Sequence, residues 1–221
     1  QQEVDAILQS IDRIASTTSF QGTKLLNGNF DFQVSGQNSN VAEASIDSAR
    51  LNGENLDVQA NITQSAQKAG LFLSTGGGLD LSASDAQFSV EIAGANGSKE
   101  FTFSSGASTS DIADQINGFS ETLGVSAAVG SGANGGSGVM LKATEFGSDA
   151  FVSVEVADDA GQAGAIHQLS GTDANSADSG TNTAFSAAAG SNPVRDEGQD
   201  VGATINGMTA TADGKQVELN T

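Results

Sequence analysis

Apolar residues that alternate on both sides of a tight turn, then switch to a spacing of three and four, set the narrowest limit on what this chain can fold into. Phe88, Val90 and Ile92 alternate with polar neighbours, Asn96-Gly97 supplies a turn, and Phe101 and Phe103 alternate back. That pattern predicts an antiparallel hairpin with one apolar face. In the run that follows, STSDIADQINGFSETLG, Ile112, Ile116, Phe119 and Leu123 fall on one helix face. Ser108 with Asp111, or Ser110, can cap the free N–H groups where the helix starts, and Gly124 suits a left-handed stop. Further strands are predicted over 125–129, 139–143 and 151–156, the first two separated by the turn-rich GSGANGGSG. A β-β-α-β-β-β order is α+β and mainly β, with one short helix near 109–123 covering one face of a mainly antiparallel sheet.

The flanks read less uniformly. Val4, Ile7, Leu8, Ile11 and Ile14 form one stripe of an amphipathic helix over 1–16. A helix of that length is marginal alone, so the stripe needs a partner. Residues 20–35 read as a strand pair around Asn27-Gly28, and 36–55 as loop. Leu56, Val58, Ala60 and Ile62 alternate as in a half-buried strand. SAQKAGLFL fits a helix or a bulged strand, and Gly76-Gly77-Gly78 ends it in either case. Residues 161–197, poor in large apolar side chains, read as a long surface loop or loose edge, and 203–208 with 216–219 as a hairpin around Asp213-Gly214. The expected divisions are 1–55, a β-rich 56–160, and a loop-rich 161–221.

Charge and residue usage exclude several function classes. With 27 acids against 8 bases the formal net charge is −19, opposite to the basic footprint that nucleic acid requires. The acids are scattered, as on a solvated surface. Cysteine is absent, which removes disulfides, thiolate metal sites and thiol nucleophiles. No run approaches the roughly 18 consecutive apolar residues of a membrane span. His167 is the single histidine and stands in a predicted loop, so the paired-histidine zinc helices are impossible. No Gly-x-Ser-x-Gly elbow or Gly-Lys-Ser/Thr phosphate loop occurs. Asp173, Asn175 and Asp178 offer oxygen donors but lack the spacing of a calcium loop. Asn61 and Asn96 begin glycosylation triplets, which arise often by chance in a Ser/Thr-rich chain. Nothing here predicts an enzyme or a cofactor.

Two stretches carry a family resemblance. The run IDRIASTTSFQGTKLLNG, with Phe20, Gly22, Lys24, Leu25, Leu26 and Gly28, resembles the segment that closes the amino-terminal half of the conserved helical domain of bacterial flagellins. DIADQINGFSETLGVSAAV, followed by LKATEFGSDAFVSVEV, resembles the repeat named for its Ile-Asn pair in the outer regions of many flagellins, here Ile116-Asn117. Ile205-Asn206 marks a weaker second copy.

The resemblance implies a structural subunit of the flagellar filament, extracellular and without a cofactor. It implies that residues 1–55 are the remnant of the conserved helical domain. The stripe Val4, Ile7, Leu8, Ile11 and Ile14 would pack against a returning carboxyl-terminal helix, and residues beyond about 40 would project outward. Terminal helices that build the filament's inner tube are then expected beyond both ends, so this stretch alone should stay monomeric. The implied partners are other flagellin subunits and the flagellin-sensing Toll-like receptor of animal hosts, with no nucleic acid or membrane. The rival is a secreted calcium-dependent adhesin or carbohydrate-binding β module, which would melt at a higher temperature with calcium bound.

Overall fold

The computed structural model describes residues 19–20, 23–24, 34–47, 55–81, 85–131, 136–170, 176–178, 180–188 and 192–220. The chain divides into two units, Gln1–Asp57 and Val58–Thr221. In the first, β1 (Ser19–Phe20) pairs antiparallel with β2 (Thr23–Lys24), Ser19 opposite Lys24 and Phe20 opposite Thr23. The Asn27-Gly28 turn expected from sequence lies outside the described residues, together with Gly22, Leu25 and Leu26. The helix expected over 1–16, with Val4, Ile7, Leu8, Ile11 and Ile14, lies outside them as well. Residues 34–47 form neither helix nor strand, as expected, and turn at Asn38, whose carbonyl accepts from the Val41 N–H at 2.9 Å.

In the second unit alternation becomes sheet. Its strands are β3 (Ala60–Gln64), β4 (Gly70–Ser74), β5 (Gln87–Gly94), β6 (Gly97–Ser104), β7 (Val125–Ser131), β8 (Ser137–Ala143), β9 (Phe151–Asp158), β10 (Ala165–Gln168), β11 (Thr183–Ala184), β12 (Val194–Glu197), β13 (Gly202–Ile205), β14 (Met208–Thr209), β15 (Thr211–Asp213) and β16 (Gln216–Glu218). The helices are α1 (Thr109–Asn117) and α2 (Ser120–Leu123). The mainly β, α+β class expected from sequence is the class observed. The single expected sheet is instead two, of order β11-β10-β4-β8-β7 and β12-β9-β5-β6, with every pairing antiparallel.

One core joins both sheets to the helices. Leu71, Leu73, Val139 and Leu141 come from the first sheet, Phe88, Ile92, Phe103 and Val154 from the second, and Ile112, Ile116 and Leu123 from α1 and α2. On the opposite face of the first sheet, Phe72 and Met140 pack with Ala177 and Leu169. Strand β4 is thus buried on both faces. That is why GLFLS reads as an unbroken apolar run, ambiguous by periodicity and resolved here as a central strand.

Local chemistry explains the helix and its limits. Ser108 and Asp111 make the expected capping box: the Asp111 N–H donates to Ser108 Oγ at 3.2 Å and the Ser108 N–H to Asp111 Oδ2 at 3.0 Å. Gly124 ends α2 at φ 73°. Phe119 departs from expectation. The helix breaks at Gly118-Phe119, and Phe119 is left 42% exposed. Its ring lies edge-on to Phe101 at 5.9 Å and beneath Lys99 Nζ at 4.2 Å. The β5-β6 register pairs Gly94 with Gly97, so its loop is Ala95-Asn96, one residue earlier than expected.

Three further expectations are corrected. The described residues of 161–197 are not a surface loop, although β11 and β12 do stand at sheet edges. They contribute β10 and β11 to one sheet and β12 to the other, and Ile166, Phe185 and Ala188 are core residues. The alternating run from Leu56 becomes a strand only at Ala60, and that strand is exposed along its length, with β13 its one strand neighbour among the described residues. The closing hairpin is really two. β13 returns through Asn206-Gly207 to β14, and β15 through Gly214-Lys215 to β16. Asn206 and Gly207, at φ 50° and 81°, make the mirror-image turn that two-residue hairpins favour.

Candidate functional site

The Ile116-Asn117 pair sits where the helix meets the open edge of β7. Ile116 is fully buried among the core residues. Asn117 points its amide along the edge: Nδ2 donates to the Ala127 carbonyl at 2.8 Å, and the Ala127 N–H donates to Oδ1 at 2.8 Å. A primary amide presents the same donor and acceptor as a neighbouring strand would. One side chain therefore covers the edge while anchoring α1 to the sheet. The weaker copy uses its asparagine differently, with one backbone and one side-chain bond. The Asn206 N–H donates to the Gln59 carbonyl at 2.8 Å and Asn206 Oδ1 accepts from the Gln59 N–H at 2.8 Å, which lengthens the β3-β13 pairing.

A second knot was not legible in the sequence. Asp200 accepts from Ser148 Oγ at 2.6 Å, from the Ser148 N–H at 3.0 Å and from the Gly214 N–H at 2.8 Å. The Ser148 hydroxyl, then the Gly214 and Ser148 amides, hold its carboxyl below the usual range. Gly147, at φ 108°, lets this happen, since a Cβ there would lie 2.5 Å from Asp200 Oδ1. Burial pushes Asp196 the other way, above the usual range, against the bond it accepts from the Gly70 N–H at 2.7 Å. Asp111 is lowered by its hydrogen bonds to Ser108.

Four cations among the described residues, Lys68, Lys99, Arg195 and Lys215, lie on aromatic rings. Arg195 sits 3.6 Å from the centroid of Phe151, and Phe146 has Lys215 at 3.7 Å and Lys68 at 4.9 Å. Beside Phe146 an open cleft of about 400 Å³ is lined by Glu145, Asp149, Asp213 and Lys215. His167 is not among its lining residues. It is half-buried on β10, not in a loop as expected, with Nδ1 against the Thr181 carbonyl. Among the described residues no group of His, Asp and Glu could hold a metal ion. Of the oxygen donors singled out in sequence, Asp178 accepts from the Gly180 N–H at 2.8 Å, while Asp173 and Asn175 lie outside the described residues.

These features define the class of module, an antiparallel α+β unit in which an Ile-Asn pair locks helix to sheet. Residues 89–145, from β5 through β8, match the flagellin hook IN motif. The chain is similar to Flagellin B of Helicobacter pylori (strain ATCC 700392 / 26695), 30% identical over 146 residues that cover 63% of this chain. The match spans 28% of that flagellin's length.

Among solved structures, the D2-D3 domains of the flagellar cap protein FliD from Escherichia coli are similar with a TM-score of 0.46 at 18% identity, covering 76% of this chain and 79% of that one. FliD (HAP2) from Pseudomonas aeruginosa PAO1 has a TM-score of 0.46 at 19% identity, covering 72% and 66%. At these scores the likeness is partial.

Proposed function

We propose that this chain is the outer, surface-exposed portion of a structural subunit of the bacterial flagellar filament, serving motility outside the cell. The observation that carries the reading is the match of 89–145 to the flagellin hook IN motif, a span in which Asn117 ties the helix to the sheet edge. Flagellins are structural proteins, and the role assigned here is mechanical, not enzymatic. Residues 1–55 belong to the conserved helical domain, with Val4, Ile7, Leu8, Ile11 and Ile14 packed against another helix of the complete subunit. Residues 56–160 and 161–221 form the outward portion. Other flagellin subunits are its partners in the filament, and a host Toll-like receptor recognises the complete subunit. These residues alone form no filaments.

Immunogold labelling with antibodies raised against 58–221 tests the reading. Gold distributed along the whole filament supports a filament subunit. Gold confined to the tip, or absent from filaments of cells that express the protein, refutes it.

A further inference from the structure

The sequence contains six Asn-Gly pairs, beginning at Asn27, Asn52, Asn96, Asn117, Asn134 and Asn206. The pair is reactive because glycine has no Cβ to shield or restrain its amide nitrogen. That nitrogen can attack the asparagine Cγ and close a succinimide ring. The bond from the glycine nitrogen to Cγ forms, the bond from Cγ to the side-chain nitrogen breaks, and the glycine N–H proton leaves with that nitrogen as ammonia. Water then opens the ring at either carbonyl, giving aspartate or an isoaspartate whose backbone runs through the side chain. No enzyme, cofactor or oxidant takes part, so what decides the rate is whether the fold leaves the glycine amide free.

Three of the pairs lie among the described residues, and the fold treats them differently. At Asn117 the Gly118 N–H donates to the Asp114 carbonyl at 3.0 Å, and the Asn117 amide is held at both ends by Ala127. At Asn96 the β5-β6 loop is Ala95-Asn96, which makes Gly94 and Gly97 the closing pair. A closing pair across a two-residue loop is hydrogen-bonded in both directions, so the Gly97 N–H is committed to Gly94. Asn96 Nδ2, the nitrogen that must leave, donates to the Glu121 carbonyl at 2.9 Å.

Asn206 stands one position earlier in its turn. Ile205 and Met208 close the β13-β14 loop, so Gly207 lies inside it, and its N–H donates to no backbone carbonyl among the described residues. The electrophile is prepared as well, because the Gln59 N–H donates to Asn206 Oδ1 at 2.8 Å. That donor draws charge from Cγ and points at the oxygen that turns negative as nitrogen adds, in the manner of an oxyanion hole.

We propose that Asn206 is a site of spontaneous deamidation and isoaspartate formation that releases β14, while the fold shields Asn96 and Asn117. An isoaspartyl link adds one backbone atom to a two-residue loop, so Ile205 and Met208 no longer meet in register. The Ala210 N–H, which donates to the Ala203 carbonyl at 3.1 Å beyond β14, reports the release.

The test holds the intact chain folded in mildly alkaline buffer and, in parallel, unfolded in guanidinium, while peptide mapping by mass spectrometry follows the replacement of NH2 by OH at each asparagine. Unfolded, the three pairs should react at similar rates, since each asparagine is followed by glycine. Folded, Asn206 is expected to react about tenfold faster or more than Asn96 and Asn117, whose glycine amides must first be freed from a hydrogen bond worth about that factor. Fragmentation that separates aspartate from isoaspartate should find both at 206, and amide exchange at Ala210 should quicken in the isoaspartyl fraction. A folded rate at Asn96 or Asn117 equal to that at Asn206 overturns the proposal. So does an Asn206 that keeps its amide while the unfolded pairs lose theirs, or an isoaspartyl fraction with unchanged exchange at Ala210. The chemistry uses only the isolated chain, so such a failure leaves the flagellar reading untouched.

Discussion

Substituting Asn117 by Asp replaces one NH2 group with oxygen and nothing else, which isolates the chemistry that ties α1 to β7. Asn117 makes two hydrogen bonds to Ala127, each at 2.8 Å. The carboxylate keeps the acceptor for the Ala127 N–H but loses the donor, leaving an anionic oxygen against the Ala127 carbonyl. Losing a net bond of about 0.5–1.5 kcal/mol and stranding a carbonyl at about 1–3 kcal/mol gives an expected cost near 2 kcal/mol. For a chain of this size that is a fall of roughly 4–8 °C in melting temperature.

The sign of the pH dependence follows. The introduced carboxyl is destabilised as an anion in the folded state only, so its folded pKa lies above its unfolded one. The deficit relative to the parent chain is full above the folded pKa and shrinks as pH falls through it, since a protonated carboxyl donates to Ala127 again. Urea titrations of both chains from about pH 7 to about pH 4, near the ordinary Asp value, read the difference directly, because titrations common to both chains cancel. Amide exchange at Ala127 should quicken at neutral pH. Parent-like stability at neutral pH, or a deficit that does not change with pH, refutes the assignment of the Asn117 amide as the coupling element.

Phe185→Ala should cost about 3–5 kcal/mol, since Phe185 is buried with its ring 5.1 Å from that of Phe88; a loss below about 1 kcal/mol in urea melts would return 161–197 to a surface role. Asp200, with its lowered pKa, stabilises the fold above the usual carboxylate range, and that contribution is lost as pH falls through its folded value. Asp200→Asn should therefore trail the parent most at neutral pH and converge with it in acid, and a constant gap across an acid titration contradicts this. Asp196, raised by burial, carries the opposite sign, so Asp196→Asn should trail the parent less at neutral pH than in acid. Calcium and chelator should leave the melting temperature unchanged; a rise with calcium would favour the adhesin reading.

What could be read from sequence was what neighbours in sequence decide. The β5-β6 hairpin and the helix cap rest on alternation, a turn and Ser108 with Asp111, all local, and both are observed, the hairpin with its loop one residue earlier. Phe119 fits the helical spacing of Ile112 and Ile116, but the break at Gly118 rotates it out of register. Residues 161–197 were misread because Ile166 and Phe185 are isolated among small residues, and their partners Leu73 on β4 and Phe88 on β5 lie far away in the chain. The Ile-Asn pair was legible as a motif. Its mechanism was not, because the amide's partner, Ala127, becomes visible only when α1 is laid beside β7. Asp200 left no periodic trace, since a lone carboxylate between strands looks like any turn residue.

The double burial of β4 also dictates an order of events in folding. It is flanked by β8 and β10, and its first amide bonds Asp196, 126 residues further along the chain. The β5-β6 hairpin and α1 can form early from nearby sequence, but β4 must wait for segments that arrive much later, and such non-local closure is slow. A chain delivered amino terminus first leaves Phe72 without Leu169 and Ala177 until 165–197 follow. The glycine- and alanine-rich stretch with the least conspicuous pattern supplies the last strands, in chain order, of both larger sheets.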